Sequence, residues 1–467
     1  MSRMREKLLG MKRKAISAPE EISEASSDTP ADENGSNELP RPSVSENFRL
    51  LEAGDEWSAM DVYRINTEWG SFLLRRRVYP LHHRHGYYEF GQLEALLPFL
   101  GQLTPEHPPE SLQSLAFLDT ETTGLGVGAG NLPFMVGLGY YEQNGFVVEQ
   151  MLLQHPAEEP AMLNYLLGRL NSCSHLISYN GKSFDWPLMK NRFILNRVAE
   201  EGESILEHVD FLYPSRNLWR TVLESCRLSH VEQNRLGIAR TEDVPGSEAP
   251  RLYFEYLAEQ KPAILQGVFE HNELDIMGLS ILGIHMSLAI AGRLELDEME
   301  SEELYRLALW YDKIGRNELR EEALRLLLAR DVHEFRNQLP SVAMLYKKAG
   351  RMSDAVRLWT SYTDQYGDQA WAQMEPCTEL AMYYEHKMKQ YEVALHYVLL
   401  AKEILRMKKS LRMLTGSKLD ALKEELNKRE QRLKQKRLKA SEEQQRTKNR
   451  KRSKGNSDVV HDQLCLW

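Results

Sequence analysis

Asp119 and Glu121 stand two residues apart at the end of an apolar run, in Leu118-Asp119-Thr120-Glu121-Thr122-Thr123-Gly124-Leu125. Side chains alternate sides along an extended chain, so a strand here puts both carboxylates on one face. Hard oxygen ligands so arranged suit Mg2+ or Mn2+. A bare Asp-x-Glu is common by chance, and the pair gains meaning only from further carboxylates brought beside it. Asp185, in Tyr179-Asn180-Gly181-Lys182-Ser183-Phe184-Asp185, opens a predicted helix. Alone it reads as a helix cap; beside the first pair it reads as a metal ligand or an organiser of the metal site. His271-Asn272-Glu273-Leu274-Asp275 brings one more carboxylate, and His271 and Asp275, four apart, share a helix face. Elsewhere that spacing is an ordinary surface pair. Here it lets an imidazole approach a metal-bound water while Asp275 binds metal.

These side chains need a sheet edge to meet. From Ser114 the pattern is α/β: an apolar run ends at Leu118, and residues 134–141 and 146–153 flank an Asn-Gly turn at Asn144-Gly145. A helix is expected over 161–170, a strand over 175–179 and a second helix after Ser183. That order suits a mixed sheet with helices packed on it. Asp185 then falls at the carboxyl edge, where open α/β sheets place their ligands.

Asp-x-Glu-Thr-Thr-Gly at 119–124 resembles the first motif of the DnaQ-like, or DEDD, exonuclease superfamily, whose second motif also requires an Asp like Asp185. Its third motif is usually His-x-x-x-x-Asp or Tyr-x-x-x-Asp, whereas this chain places His271 at the tyrosine spacing, which leaves the identity of the general base open. Asn-Gly-Lys-x-Phe-Asp at 180–185 and His-Asn-x-x-Asp at 271–275 are similar to the YprB-like bacterial proteins with a ribonuclease-H-like domain. The likeness extends over residues 50–290, including Leu236-Gly-Ile-Ala-Arg240 and Asp243-x-Pro-Gly246.

The resemblance implies a metal-dependent exonuclease that hydrolyses phosphodiester bonds 3′ to 5′ on single-stranded DNA or RNA ends. Two Mg2+ or Mn2+ ions would be held by Asp119, Glu121, Asp185 and Asp275. His271 would accept the proton of the attacking water, a role suited to a group that titrates near neutrality. Thr122, Thr123, Gly124 and Asn180 would seat the terminal nucleotide, with Leu125 against its base. The rival reading is a non-cleaving nucleic-acid-binding and protein-interaction scaffold built on a nuclease fold and helical repeats. The presence of all four carboxylates argues against a decayed site.

Other signals carry less. The glycine-rich run 124–130 lacks a following Lys-Ser/Thr, so it is no Walker loop but a flexible loop beside the site. His82, His83 and His85 read as structural or solvated, and Asp210 as a turn or cap rather than a substrate contact.

The length predicts two or three domains. Residues 1–47 are expected to be a disordered N-terminal segment, 48–110 a small β-rich lead-in, and 111–292 the α/β ribonuclease-H-like, DnaQ-like domain. An all-α tetratricopeptide-like repeat domain follows at 298–406: residues 308–316 align with 343–351 and more loosely with 381–389, at offsets of 35 and 38 residues. It offers a surface for a protein partner. Residues 407–467 form a charged tail that a marginal helix enters, through Leu419, Leu422, Leu426 and Leu433, before it becomes disordered. Between 418 and 454 this tail has 15 Lys or Arg against 6 Asp or Glu, although the whole chain carries a formal charge of −9, so any nucleic-acid affinity must come from local basic patches. The four cysteines show no zinc-type spacing, which suits a reducing cytoplasm. Leu8-Leu9 is too short for a signal core and no later stretch is expected to span a membrane.

Overall fold

The computed structural model describes residues 49–124, 130–198, 206–241 and 243–461, with side chains as far as 446. The acidic N-terminal segment, Leu125 with most of the glycine-rich run, and Cys465 lie outside the described residues.

Strands β1 (Arg49–Glu52), β2 (Val62–Thr67) and β3 (Gly70–Pro80) come first, followed by a short ribbon of β4 (Arg84–His85) and β5 (Tyr88–Glu89). Helix α1 (Gln92–Leu100) buries the four leucines read from the sequence and ends two residues after Pro98. Next come β6 (Leu115–Thr122), β7 (Pro133–Glu142) and β8 (Gly145–Leu152), the last two joined by the tight turn that Asn144-Gly145 foretold. Helix α2 (Glu159–Leu170), β9 (His175–Ser178), α3 (Asp185–Leu195), β10 (Glu207–Asp210) and α4 (Leu212–Trp219) complete the α/β alternation. Helices α5 (Ala249–Glu259) and α6 (Gln266–Ala291) follow.

One eight-stranded sheet runs β1-β2-β3-β8-β7-β6-β9-β10. Pairing is antiparallel as far as β6 and parallel across β6, β9 and β10, where the crossovers are helical. Because β3 pairs with β8, residues 48–110 share a sheet with the α/β region.

Helix α6 packs across β6, β7 and β8 and against α1. It corrects the expectation that no stretch could span a membrane: residues 262–291 are long and apolar enough by length and composition. Most of that stretch is buried inside the protein, so its all-round hydrophobicity is that of a central core helix.

The remainder is all helical. Hairpins α7 (Ser301–Lys313) with α8 (Asn317–Leu328), α9 (Leu339–Lys348) with α10 (Met352–Tyr366), and α11 (Glu375–His386) with α12 (Tyr391–Ser410) follow one another. The equivalent Ala308, Ala343 and Ala381 are fully buried, which lets paired helices approach. Gly315 and Gly350 turn the chain in the left-handed region at φ 76° and 79°. The third copy has Met388 there, and the left-handed turn moves one residue on, to Lys389 at φ 54°.

Helix α13 (Gly416–His461) differs from the expected disorder. Leu419, Leu426 and Leu433, seven apart, form a buried stripe, and α13 packs on α12. Lys402 pairs with Glu430, while Arg432 and Lys436 both reach Glu385. The first half of the tail is therefore docked, and part of its positive charge is spent within the fold.

Candidate active site

Strand β6 carries Asp119 opposite Gly137 and Glu121 opposite Met135, with a register shift just beyond Glu121. A β-carbon at Gly137 would lie 2.3 Å from Asn272 Oδ1, so only glycine admits the α6 side chain that reaches β6. Asn272 Nδ2 donates to Asp119 Oδ2 at 2.9 Å, and its own Oδ1 accepts from Gln150 Nε2 at 2.9 Å. Gln150 in turn accepts from Arg75. Arg75 and Arg77 both pair with Glu273, to which the Tyr79 hydroxyl also donates. One polar chain thus ties β3, β8, α6 and β6 together and sets the rotation of the helix that bears His271 and Asp275.

Asp185 is the first residue of α3, and the Thr120 hydroxyl donates to its Oδ1. The turn before it is held by Asp210, whose carboxylate accepts backbone N–H bonds from Asn180 (2.8 Å), Lys182 (3.1 Å) and Leu212 (3.0 Å). Asn180 adopts the left-handed conformation that Asn tolerates, at φ 66°. Asp210 thus acts as a turn organiser. Thr122 and Thr123 stand at the mouth of the same strand, where the Thr122 hydroxyl donates to the Gly124 carbonyl and Thr123 Oγ1 accepts from the Leu132 N–H. The histidines at 82–85 lie away from this cluster in role: His83 stacks on Phe90, and burial pushes His85 down to about 4.

The carboxylates are close enough to act on one another. Desolvation, then Asp275, Asp185 and Glu121, push the Asp119 carboxyl well above its ordinary range. Desolvation, then Asp275, Asp185 and Asp243, do the same to Glu121, and burial raises Asp185. Among the described residues no three His, Cys, Asp or Glu side chains are placed ready to grip an ion. Three of the carboxylates have partners within the protein: Asn272 bonds to Asp119, Thr120 to Asp185 and Arg240 to Asp275. The donor set still fits a divalent cation by its chemistry, since hard oxygens that raise one another's pKa lack positive charge.

The wider comparisons fit this geometry. A family model described as the RNase_H superfamily matches residues 116–287. The uncharacterized protein YprB of Bacillus subtilis (strain 168) is 34% identical over 368 residues, spanning 75% of this chain and 88% of the relative. The chain belongs to the YprB family. Its ribonuclease-H-like domain points to a nuclease-type hydrolase that binds nucleic acid.

Within this YprB-family chain, the structure adds residues that sequence reasoning did not select. Asp243 Oδ1 lies 2.7 Å from His271 Nδ1, while His271 Nε2 lies 3.7 Å from Asp275 Oδ2. A carboxylate can only accept here, so Nδ1–H donates to Asp243 and the ring turns Nε2 toward the carboxylate cluster. Arg240 pairs with Glu232 at 2.6 Å, with Asp243 at 3.1 Å and with Asp275. Burial pushes Glu232 up, to about 7, against the pull of Arg240, whose own guanidinium is held charged by Asp275 and Glu232. Both Arg240 and Asp243 fall in the stretches that carry the YprB resemblance, but nothing in their spacing indicates that they would meet the third motif. That required the loop before α5 to fold back on α6.

Proposed function

We propose that this protein is a DEDD-type, metal-dependent exonuclease that removes nucleotides 3′ to 5′ from single-stranded ends. The observation that carries the reading is the mutual electrostatic pressure among Asp119, Glu121, Asp185 and Asp275, with His271 at their edge. Two Mg2+ or Mn2+ ions held there would polarise the phosphodiester, lower the pKa of a water and stabilise the departing oxygen. Asp119 and Glu121 work from one face of β6, and Asp185 from the start of α3. His271, held by Asp243, offers Nε2 to a water proton. Thr122, Thr123, Gly124 and Asn180 line the approach for the terminal nucleotide. The helical hairpins, read as tetratricopeptide-like, supply a surface for a protein partner.

A second reading, a nucleic-acid scaffold that does not cut, draws on Arg240, which occupies Asp275 with a cation of the protein's own. Degradation of 5′- and 3′-labelled DNA and RNA with Mn2+ by purified protein, beside Asp119→Ala, tests the first reading and its polarity. Calorimetric titration with Mn2+ separates the two, since the scaffold needs no ion at these carboxylates.

A further inference from the structure

A cleft of about 700 Å3 opens beside the second motif, with Tyr179, Asn180, Arg216, Arg220, Glu224 and Arg227 among its walls. We propose that it is a subsite for the phosphodiester backbone of single-stranded nucleic acid, gripping the strand next to the end that enters the carboxylate site. The proposal rests on the nuclease reading of that site.

Three exposed guanidinium groups face one carboxylate in this cleft. Among the described residues none of Arg216, Arg220 and Arg227 is in an ion pair, whereas Arg75, Arg169, Arg192, Arg235 and Arg240 all are. Arg216 lies in the last turn of α4 and Arg220 four residues on is its C-cap, still in the right-handed helical conformation, so the two share a side despite like charge. The carbonyl end of that helix favours positive charge, but this does not account for Arg227, which comes from a different turn, before the one-turn helix Leu228–Val231, and converges on the same space. Planar guanidinium groups match phosphate oxygens two at a time. The cleft's volume exceeds what one phosphate fills, and its Tyr179 ring is fixed by a hydroxyl bond to the Cys226 carbonyl at 2.6 Å, as a surface for a base or sugar would be.

Position decides the class of ligand. Asn180 on the cleft wall is bonded to Gly181, where a β-carbon would lie 3.1 Å from Asp185 Oδ2. A polyanionic strand approaching four carboxylates is repelled, and cations along its path offset that repulsion. This cleft, which shares Asn180 with the turn leading to Asp185, carries three of them.

The test uses the full chain in EDTA, so that binding is read without cleavage. Fluorescein-labelled oligothymidylate and oligouridylate of 12 nucleotides are titrated by anisotropy over a range of salt. The triple variant R216Q/R220Q/R227Q is expected to bind about tenfold or more weakly, with a log–log salt slope shallower by roughly 2, three phosphates at about 0.7 each. R216K/R220K/R227K, which keeps the charges, should recover most of the affinity, and Asp119→Asn should bind at least as well as the parent. Unchanged affinity and slope in the glutamine variant overturns the subsite even in a protein that cuts. Loss of binding in that variant supports it even in a protein that cuts nothing. An oligoglutamate of equal charge that displaces the oligonucleotide equally well would assign the cleft to a protein ligand and overturn the proposal.

Discussion

The acidic side chains at the sheet edge do two opposing things, and single substitutions separate them. Asp119→Ala, Glu121→Ala, Asp185→Ala and Asp275→Ala are each expected to abolish cleavage while the protein stays folded. Because burial and then its neighbours' charge push Asp119 up, Asp119→Asn should leave the melting temperature in EDTA equal or raised; a fall of several degrees would mean that its charge is not disfavoured there. His271→Ala is expected to lower the rate about a hundredfold with little change in Mn2+ affinity, as for loss of a general base. Full activity in that variant would remove His271 from the chemistry. Arg240 presents a different balance. It and Glu232 are almost wholly buried, and removing one partner of such a pair leaves an uncompensated charge. Arg240→Ala should therefore cost about 3 kcal/mol in urea unfolding, and an unchanged midpoint would show that the network contributes no stability.

At the scale of elements, β3 and α13 both take work that their sequences present as peripheral. Through Arg75 and Arg77, β3 pins Glu273 and so fixes how α6 offers its polar first half to β6. Helix α13 is docked by its leucine stripe and by Glu385, whose carboxyl Arg432 and Lys436 hold down at about 2. Removal of the whole basic tail would expose that stripe, so the informative truncation ends at Glu443. It takes away six Lys or Arg between 446 and 454 and leaves the docked half in place. If that end of the helix tracks phosphates, the salt slope for a 20-nucleotide single strand should become shallower by roughly 0.7 for each phosphate no longer neutralised. The same slope before and after truncation would make it a solubilising extension only.

Across the whole molecule, the sheet region and the helical hairpins are joined by buried polar contacts as well as by one continuous apolar core. The Trp219 indole donates to Glu303 on α7 at 2.7 Å, Arg235 pairs with the same carboxylate at 2.9 Å, and the Tyr311 hydroxyl donates to the Ala289 carbonyl at 2.7 Å. His285 lies against Trp219 and within 2.8 Å of the Tyr88 hydroxyl, and burial, with a lesser push from Arg235, lowers it to about 4. It is neutral in the fold, while the unfolded chain protonates it near roughly 6.5. Between those values the unfolded state binds more protons, so this contribution to stability is fully present above about 6.5 and is lost as the pH falls toward 4. The melting temperature should drop more steeply from pH 7.5 to 5 in the parent than in His285→Gln, with the two regions melting in one transition. Parallel curves would remove His285 from the acid sensitivity.

What the sequence determined by itself was local. Alternation by two put Asp119 and Glu121 on one side of β6, a spacing of four put His271 and Asp275 on one face of α6, Asn144-Gly145 closed the β7–β8 turn, and the alanine register marked the hairpins. Each rests on backbone periodicity, which neighbours along the chain impose on one another. Tertiary structure decided who meets whom. Arg240 found Asp275, Asp243 found His271, Gln150 and Asn272 reached Asp119, and β3 joined the sheet of the α/β region, all between segments far apart in sequence. It also decided the fate of α6, because hydropathy alone reads the same for a membrane span and a core helix, and only the sheet and helices packed around it exclude water from it.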